Sequence, residues 1–318
     1  KIRRRQHPVH DVPGILTNLV SSVMYQRYYA LFFLLLFLTS CNDPSPQVSF
    51  YFSAHPDDWQ LFMGEKAYED IQDTNTKSVF FLLTAGDTAM GMEASESANM
   101  PYYLARERGY VNALKWADQE ALTIDPEGRS LNALEDYALN EIVVNGHVVK
   151  KYETQKSIAY LFYLPDGFPE GQYRWSLEKL HKGKIYNMPT IDSTTLYKDW
   201  DDLESTTKIL ISKEANGYEK VWINVAEHDS TLNTQDHPDH WYTSLLGDLA
   251  SQHLEPYRRY YREYAMADLD TNLIGTAVDI KRYLFSANAI SKEQAGYDSP
   301  WNDHHLAWVV RSYYREER

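Results

Sequence analysis

The chain has little of several features that commonly reveal what a protein does. It contains one cysteine, Cys41, in 318 residues, so no disulfide can form within the chain. Positive charge is also scarce, because 31 lysines and arginines stand against 45 aspartates and glutamates, giving a net charge of −14. This acidity argues against a protein that binds nucleic acid, which would show a basic patch or stripe. With 43% hydrophobic and 24% charged residues, the chain can still bury a sizeable core.

The apolar stretch near the N-terminus is too short to cross a membrane. Tyr28–Leu38 has eleven residues, whereas a spanning helix takes about 20. Its length and the preceding Arg27 are typical of a secretory signal. Leu38-Thr39-Ser40-Cys41 resembles a bacterial lipobox, which implies a lipid on Cys41 and a protein anchored to the bacterial cell envelope, facing outside the cytoplasm. The alternatives are an ordinary signal peptide and a buried helix.

These features set the expected organisation of the chain. We assign residues 1–40 to a signal peptide and an upstream segment, and residues 41–46 to a short tether rich in proline and small polar residues. Residues 47–255 are predicted to form the main domain. Residues 256–318 are predicted to be a helical extension packed on that same domain.

Continuous apolar runs within the main domain predict strands that are buried on both faces. Such runs cover Gln47–Ala54, Ser78–Thr84, Ser157–Leu164 and residues 220–226. Strands of this kind are typical of a parallel sheet. Gln60–Ile71 has apolar residues at helical spacing and lies between the first two runs, so the three segments predict a βαβ unit. The predicted fold class is therefore α/β with a mostly parallel sheet.

Two short polar clusters follow two of these strands. His55-Pro56-Asp57-Asp58 comes directly after the first strand, and His237-Pro238-Asp239-His240 comes shortly after the strand at 220–226. The carboxyl ends of parallel strands are where an α/β sheet builds its binding site. Either cluster alone is more typical of a solvated turn or a helix cap. The two together predict a metal site.

The residue types in the clusters match what a catalytic zinc site requires. Such a site has three protein ligands and keeps a fourth position for water. His55, Asp58 and His240 supply that number of ligands, and Asp57 is a spare carboxylate that can act as general base. His237 remains as a proton donor or as a group that stabilises an oxyanion.

The same residues carry a resemblance to a known family. Ala54-His55-Pro56-Asp57-Asp58 and His237-Pro238-Asp239-His240 resemble the two signature motifs of the PIG-L/LmbE-like de-N-acetylases, and Thr84-Ala85-Gly86-Asp87 resembles a third, weaker one. The resemblance implies a Rossmann-like three-layer fold and a hydrolase that removes an N-acetyl group from an amino sugar or glycoconjugate. It implies Zn²⁺, or another divalent metal, held by His55, Asp58 and His240. Asp57 would be the base and His237 the acid or the oxyanion partner. One departure is Trp59, where the family commonly has glutamate.

Two further residues are weaker candidates for contact with the substrate. Arg106 lies on the helix after the third motif, where the family often places a substrate-binding arginine, and Asp87 either lines the site or caps a turn. His304-His305 is not expected to be a metal pair, because neighbouring residues on a helix point in different directions. Two other functions remain open. One is an inactive glycan-binding lipoprotein that retains the pocket, and the other is a metal hydrolase acting on a different amide or on an ester.

Overall fold

The computed structural model describes residues 45–87, 98–123, 138–168 and 173–318, with only the helical backbone of 119–123. Cys41 and the predicted signal peptide lie outside the described residues, as does most of the tether. Residues from Pro46 to Arg318 belong to one compact unit. Among the described residues, no helix combines the length and the apolar character needed to cross a bilayer.

Strands form at all four apolar runs that the sequence analysis identifies. The first half contains β1 (Gln47–Ser53), a π-helical turn (Trp59–Met63), α1 (Gly64–Gln72), β2 (Thr76–Thr84), α2 (Tyr102–Thr123), β3 (Asn140–Val144), β4 (His147–Glu153) and β5 (Ser157–Leu164). The middle contains α3 (Leu177–His181), β6 (Met188–Pro189), β7 (Leu196–Tyr197), α4 (Trp200–Ala215), β8 (Lys220–Ala226) and α5 (Pro238–Ser251). The remainder contains β9 (Tyr257–Tyr261), two 3-10 turns (Gln252–Leu254 and Tyr264–Asp268), α6 (Thr276–Gln294), α7 (Asp303–Val309) and β10 (Tyr314–Glu317).

Eight of the strands form one sheet in the order β10-β9-β8-β1-β2-β5-β4-β3. The pairs β9–β8, β8–β1, β1–β2 and β2–β5 are parallel, whereas β10, β4 and β3 pair in the antiparallel sense. The fold is therefore a Rossmann-like α/β fold with a mostly parallel sheet, as predicted. Because β1, β2, β5 and β8 run parallel to one another, their carboxyl ends lie at the same edge of the sheet.

Alternating side chains of the central strands fill two cores, one on each face of the sheet. Phe52 stacks on Phe81 on one face, with ring centroids 4.7 Å apart, and packs among residues of α4 and α5. Tyr51 stacks on Phe80 on the other face, with centroids 5.0 Å apart, in the core built by α1, α2 and α6. Because successive residues of a strand point to opposite faces, one apolar run supports both helical layers.

The C-terminal segment is more than the helical extension that the sequence predicts. Tyr257–Tyr261 pairs with β8 in parallel, and Tyr314–Glu317 pairs with β9. The prediction of helices in residues 256–318 is right for α6 and α7 but misses these two strands. Because β9 and β10 continue the central sheet, this segment belongs to the main domain and does not stand apart from it.

Candidate active site

Polar residues that follow three strands, together with one on a helix, meet in one pocket at the carboxyl edge of the sheet. The pocket has a volume of about 430 Å³, and its lining includes His55 after β1, Asp166 after β5, His237 after β8 and Arg106 on α2. A larger hollow of about 580 Å³ lies at the opposite edge, where strands begin, lined by residues such as Thr76 and Ser157. The polar clusters identified from the sequence are at the first of these two places.

The structure brings the three predicted ligands together. Nδ1 of His55 lies 3.0 Å from Nε2 of His240, and Oδ1 of Asp58 lies 3.7 Å from the first atom and 3.4 Å from the second. A single point about 2 Å from all three atoms therefore exists, which is the distance of nitrogen and oxygen ligands from zinc. All three side chains are buried. The donor set and its spacing fit one divalent ion.

Acidic neighbours make this position favourable for a cation. Burial opposes a positive charge on His55, but the carboxylates of Asp166 and Asp58 outweigh burial and raise the pKa of His55 to about 10. Its Nε2 atom is buried without a hydrogen-bond partner and lies 3.7 Å from carboxylate oxygens of both Asp166 and Asp239. A proton on Nε2 of His55, or a metal ion beside its Nδ1, would neutralise part of the negative charge of these carboxylates.

The second nitrogen of His240 is held by two acidic residues. Its Nδ1 lies 2.7 Å from Oδ1 of Asp236 and 2.5 Å from Oε2 of Glu263. These contacts direct Nε2 toward His55 and Asp58. A carboxylate that accepts the other N–H of a histidine ligand fixes the ring and makes the free nitrogen a better ligand. Asp236 is itself buried and also accepts the backbone N–H of His237 at 2.8 Å.

Asp57 projects into the same pocket and does not belong to the three-atom group. Its carboxylate pairs with the guanidinium of Arg106 and lies 3.9 Å from Nζ of Lys292 on α6. Burial raises the pKa of Asp57, but these two cations dominate and lower it to about 2. Asp57 is therefore an anion at neutral pH, beside the position that an ion would take.

His237 caps α5 and is oriented by that role. Its Nδ1 accepts the backbone N–H of Asp239 at 3.1 Å, with Pro238 as the first residue of the helix. Burial lowers the pKa of His237, and the neighbouring rings of His55 and His240 lower it further. The ring is therefore neutral. Since Nδ1 accepts, Nε2 carries the hydrogen and is a donor on the side of Asp166, whose Oδ1 lies 3.8 Å away.

Arg106 and Asp87 are both close to the pocket, with different contacts. Arg106 lines it, donates to the carbonyl oxygen of Gly86 at 3.1 Å, and pairs with Asp57. Asp87 accepts the backbone N–H of Asp166 at 2.9 Å and so supports the loop after β5. Between Asp87 and Asp166, it is Asp166 that lines the pocket.

Four buried groups of the site are not identified by the sequence analysis: Asp166, Asp236, Glu263 and Lys292. Asp166 had a usable signal, because it follows a predicted parallel strand in Leu164-Pro165-Asp166-Gly167. Asp236 directly precedes a recognised motif. Glu263 and Lys292 have no local signal, since they lie in the segment whose strands the sequence pattern does not reveal.

The structure also shows where Trp59, His304 and His305 lie. Trp59 is fully buried, packs on Phe80 and Tyr110, and therefore lies in the core and not in the lining of the pocket. His304 and His305 line the pocket wall on α7. Among the described residues, neither belongs to a group of three or more His, Cys, Asp or Glu side chains whose donor atoms lie close enough to share an ion.

Solved structures include chains with a fold similar to this one. No family model and no curated protein matches the chain. Among solved structures, it is similar to the N,N'-diacetylchitobiose deacetylase from Pyrococcus horikoshii complexed with its inhibitor MPG. The TM-score is 0.42 and the sequence identity 14%, over 85% of this chain and 76% of that chain.

Proposed function

We propose that the protein is a zinc-dependent hydrolase that removes an N-acetyl group from an amino sugar or glycoconjugate. The observation that supports it is the meeting of His55, Asp58 and His240 around one point, with the unused carboxylate of Asp57 in the same pocket. The substrate class comes from the resemblance of the two motifs to the PIG-L/LmbE-like de-N-acetylases.

His55, Asp58 and His240 would hold the metal in this proposal. A bound divalent ion supplies Lewis acidity, which lowers the pKa of water and polarises a carbonyl group. Asp236 and Glu263 hold the ring of His240 so that Nε2 remains available. The backbone N–H of His55 donates to Oδ2 of Asp58 at 2.7 Å and fixes that carboxylate as well.

Asp57 is the group that accepts the proton of the attacking water. It is ionised at neutral pH and lines the pocket. Arg106 and Lys292 stabilise its charge, which makes it a weaker base than an unpaired carboxylate. Arg106 lies where a substrate hydroxyl or carbonyl would reach it, so part of its hydrogen bonding can pass from Asp57 to the substrate.

His237 is the donor for the oxygen that becomes negative during attack on the acetamide. Its Nε2–H faces the pocket, and the helix cap keeps the ring in place. A preorganised donor of this kind typically contributes about 3–4 kcal/mol to transition-state stabilisation. Protonation of the departing amine then requires the proton that Asp57 took up.

One observation favours an inactive glycan-binding protein as the second candidate. The ion pair of Asp57 with Arg106 is largely shielded from solvent and already satisfies the carboxylate that should act as base. If the pair persists with substrate bound, the pocket binds a sugar and releases no acetate.

Acetate release from a panel of N-acetylated sugars, with metal analysis of the same protein, tests the proposal. We expect acetate release that a chelator abolishes and zinc restores. Asp57→Asn should keep the metal and lose about 10²–10⁴-fold in kcat. Unchanged turnover in this variant removes Asp57 from the role of base, and a metal-loaded wild type without activity favours the second candidate.

The location outside the cytoplasm is a separate part of the proposal and rests on the Leu38–Cys41 motif alone. Labelling with a fatty-acid probe in a bacterial host tests it. The mature protein should take up label, and Cys41→Ala should not.

A further inference from the structure

One face of α6, in the C-terminal segment, contacts the first polar cluster, His55–Asp58. Asn288 and Lys292 are four residues apart on this helix, so their side chains project from the same face, and both are buried. Nδ2 of Asn288 donates to the carbonyl oxygen of Pro56 at 3.1 Å. Nζ of Lys292 lies 3.9 Å from Oδ2 of Asp57. The helix therefore contacts both the backbone before Asp57 and the Asp57 carboxylate.

A glycine on α2 lets α6 come this close. A Cβ atom on Gly109 would lie 2.8 Å from Cα of Asn288 and 3.1 Å from its carbonyl oxygen, which is closer than side-chain carbons approach a neighbouring backbone. Three residues further along α2, Asn112 donates to Oγ of Ser291 at 3.0 Å. The contact between the two helices therefore fixes where Lys292 lies.

The two cations beside Asp57 have different surroundings. Arg106 pairs with Oδ1 of Asp57 and lines the pocket. Lys292 faces Oδ2, is only 1% exposed, and is not among the residues that line the pocket. A ligand in the pocket can therefore compete for the guanidinium of Arg106, but it has no access to the ammonium of Lys292.

This asymmetry matters when a ligand binds. A buried charge that loses its partner is strongly unfavourable. If Arg106 were the single cation beside Asp57, its movement toward a ligand would leave the carboxylate unpaired or would pull it along. Lys292 is the cation that stays beside Asp57 while Arg106 turns to the ligand.

We infer that Lys292 is a positioning residue for the proposed reaction, and that α6 holds it so that the Asp57 carboxylate stays in place while Arg106 contacts the substrate. The inference rests on the proposed function, because it takes Asp57 as the group that accepts the proton of water. It extends the working part of the site beyond residues 47–255, which carry the family resemblance, into the C-terminal segment.

The test replaces Lys292 by a neutral side chain of similar length. Lys292→Met removes the ammonium, and the matched control is Arg282→Met, at an exposed arginine on the same helix whose Nη1 lies 4.0 Å from Oδ1 of Asp279. Acetate release from N-acetylglucosamine gives kcat and KM, and metal analysis is made on the same preparations. Urea unfolding at pH 7 is measured for Lys292→Met, for Asp57→Asn and for the double variant.

We expect kcat of Lys292→Met to fall about 10- to 100-fold, as is typical when a group that orients a reacting residue is lost. KM should change less than about twofold and metal content should stay at the wild-type value, because neither the ligands of the metal nor Arg106 are altered. Arg282→Met should match the wild type in all three quantities. A purely structural role of Lys292 would lower stability and leave kcat of the folded protein unchanged.

The unfolding measurement tests the pairing without any catalysis. Asp57→Asn leaves the ammonium of Lys292 buried without its carboxylate and should lower the urea midpoint. Adding Lys292→Met removes that charge, so the double variant should unfold at a higher urea concentration than Asp57→Asn alone. Two residues that do not interact would show additive effects.

The outcomes separate this inference from the proposed function. Wild-type kcat in Lys292→Met, a loss confined to KM, or a double variant no more stable than Asp57→Asn overturns the role of Lys292 while the deacetylase activity stands. Absence of acetate release from the wild type overturns the proposed function. In that case recovery of stability in the double variant still supports the pairing of Lys292 with Asp57, and lack of recovery overturns it as well.

Discussion

Nδ1 of His55 lies 3.0 Å from Nε2 of His240, although 185 positions separate the two residues in the chain. The parallel pairing of β1 with β8 explains this approach, because it places the carboxyl ends of the two strands side by side. Two imidazole nitrogens at this distance, next to the Asp58 carboxylate, are placed so that all three could hold one metal ion.

Replacing His240 should remove the metal. His240→Gln keeps a polar side chain but withdraws the ring nitrogen that faces His55 and Asp58. We expect metal bound per chain, measured by plasma mass spectrometry after gel filtration, to fall from about one to near zero. His228→Gln is the control, because His228 is exposed and is not one of the three predicted ligands. Its Nδ1 lies 3.6 Å from Oδ2 of Asp248. Full metal content in His240→Gln would exclude His240 as a ligand.

Asp236 should affect the metal only through His240. Asp236→Asn removes the negative charge that lies 2.7 Å from Nδ1 of the ring. Such changes typically weaken metal affinity about 10–100-fold, which competition with a chromophoric chelator measures. Asp229→Asn replaces an exposed aspartate nearby and should leave the affinity as it is. An unchanged affinity in Asp236→Asn would mean that Glu263 alone positions the ring.

His237 should matter for turnover and not for metal binding. His237→Asn keeps a good helix-capping acceptor for the N–H of Asp239 while it removes the Nε2–H donor. We expect kcat to fall about 10²–10³-fold, with metal content and thermal stability close to wild type. His237→Ala loses the cap as well and should cost about 1 kcal/mol of stability. A His237→Asn variant with wild-type kcat contradicts the oxyanion role.

Stability should depend on pH through Lys281, which is fully buried on α6. Its Nζ donates to the carbonyl oxygens of Trp308 and Arg311. Burial lowers the pKa of Lys281 to about 7, although Glu65 opposes the shift. The pKa in the unfolded chain is about 10.4, so the unfolded chain binds more protons between pH 7 and 10. This difference makes the contribution of Lys281 to stability increase with pH across that window, by at most about 1.4 kcal/mol per pH unit.

Urea unfolding at pH 6.5, 8 and 9.5 checks this slope. Lys281→Met removes the titrating group and should flatten the rise relative to wild type, while it lowers stability because two carbonyl oxygens lose their donor. Lys208→Met, at an exposed lysine on α4, is the control and should keep the wild-type slope. Equal slopes in wild type and Lys281→Met would show that the ammonium remains charged in the folded protein.

The central part of the fold follows from local pattern. The runs that form β1, β2, β5 and β8 are apolar on both faces, and only a sheet covered by helices on both sides accommodates them. Asn145-Gly146 lies between two strand-forming segments and predicts the hairpin of β3 and β4, where Asn145 and Gly146 both have positive φ. These features depend on neighbours in the sequence and are therefore visible there.

The strands β9 and β10 are not visible in the same way. Tyr257–Tyr261 contains two arginines, and the end of the chain reads as a charged tail. In the structure Arg259 lies over the ring of Trp222, 3.7 Å from its centroid, and also pairs with Glu316. Trp222 and Glu316 are distant from Arg259 in the sequence. An arginine that the sequence pattern would place in solvent is therefore part of the sheet.

The sequence by itself determined which residues could ligate a metal ion and that they follow two strands of the sheet. Only the tertiary structure decided how those residues are supported: Asp236 and Glu263 on His240, Arg106 and Lys292 on Asp57, and the ring stack of Tyr264, Trp308 and His304 beside the pocket. The physical reason is that a strand or a turn depends on interactions within a few residues. The charge and orientation of a buried side chain depend on groups that the chain brings close from any distance.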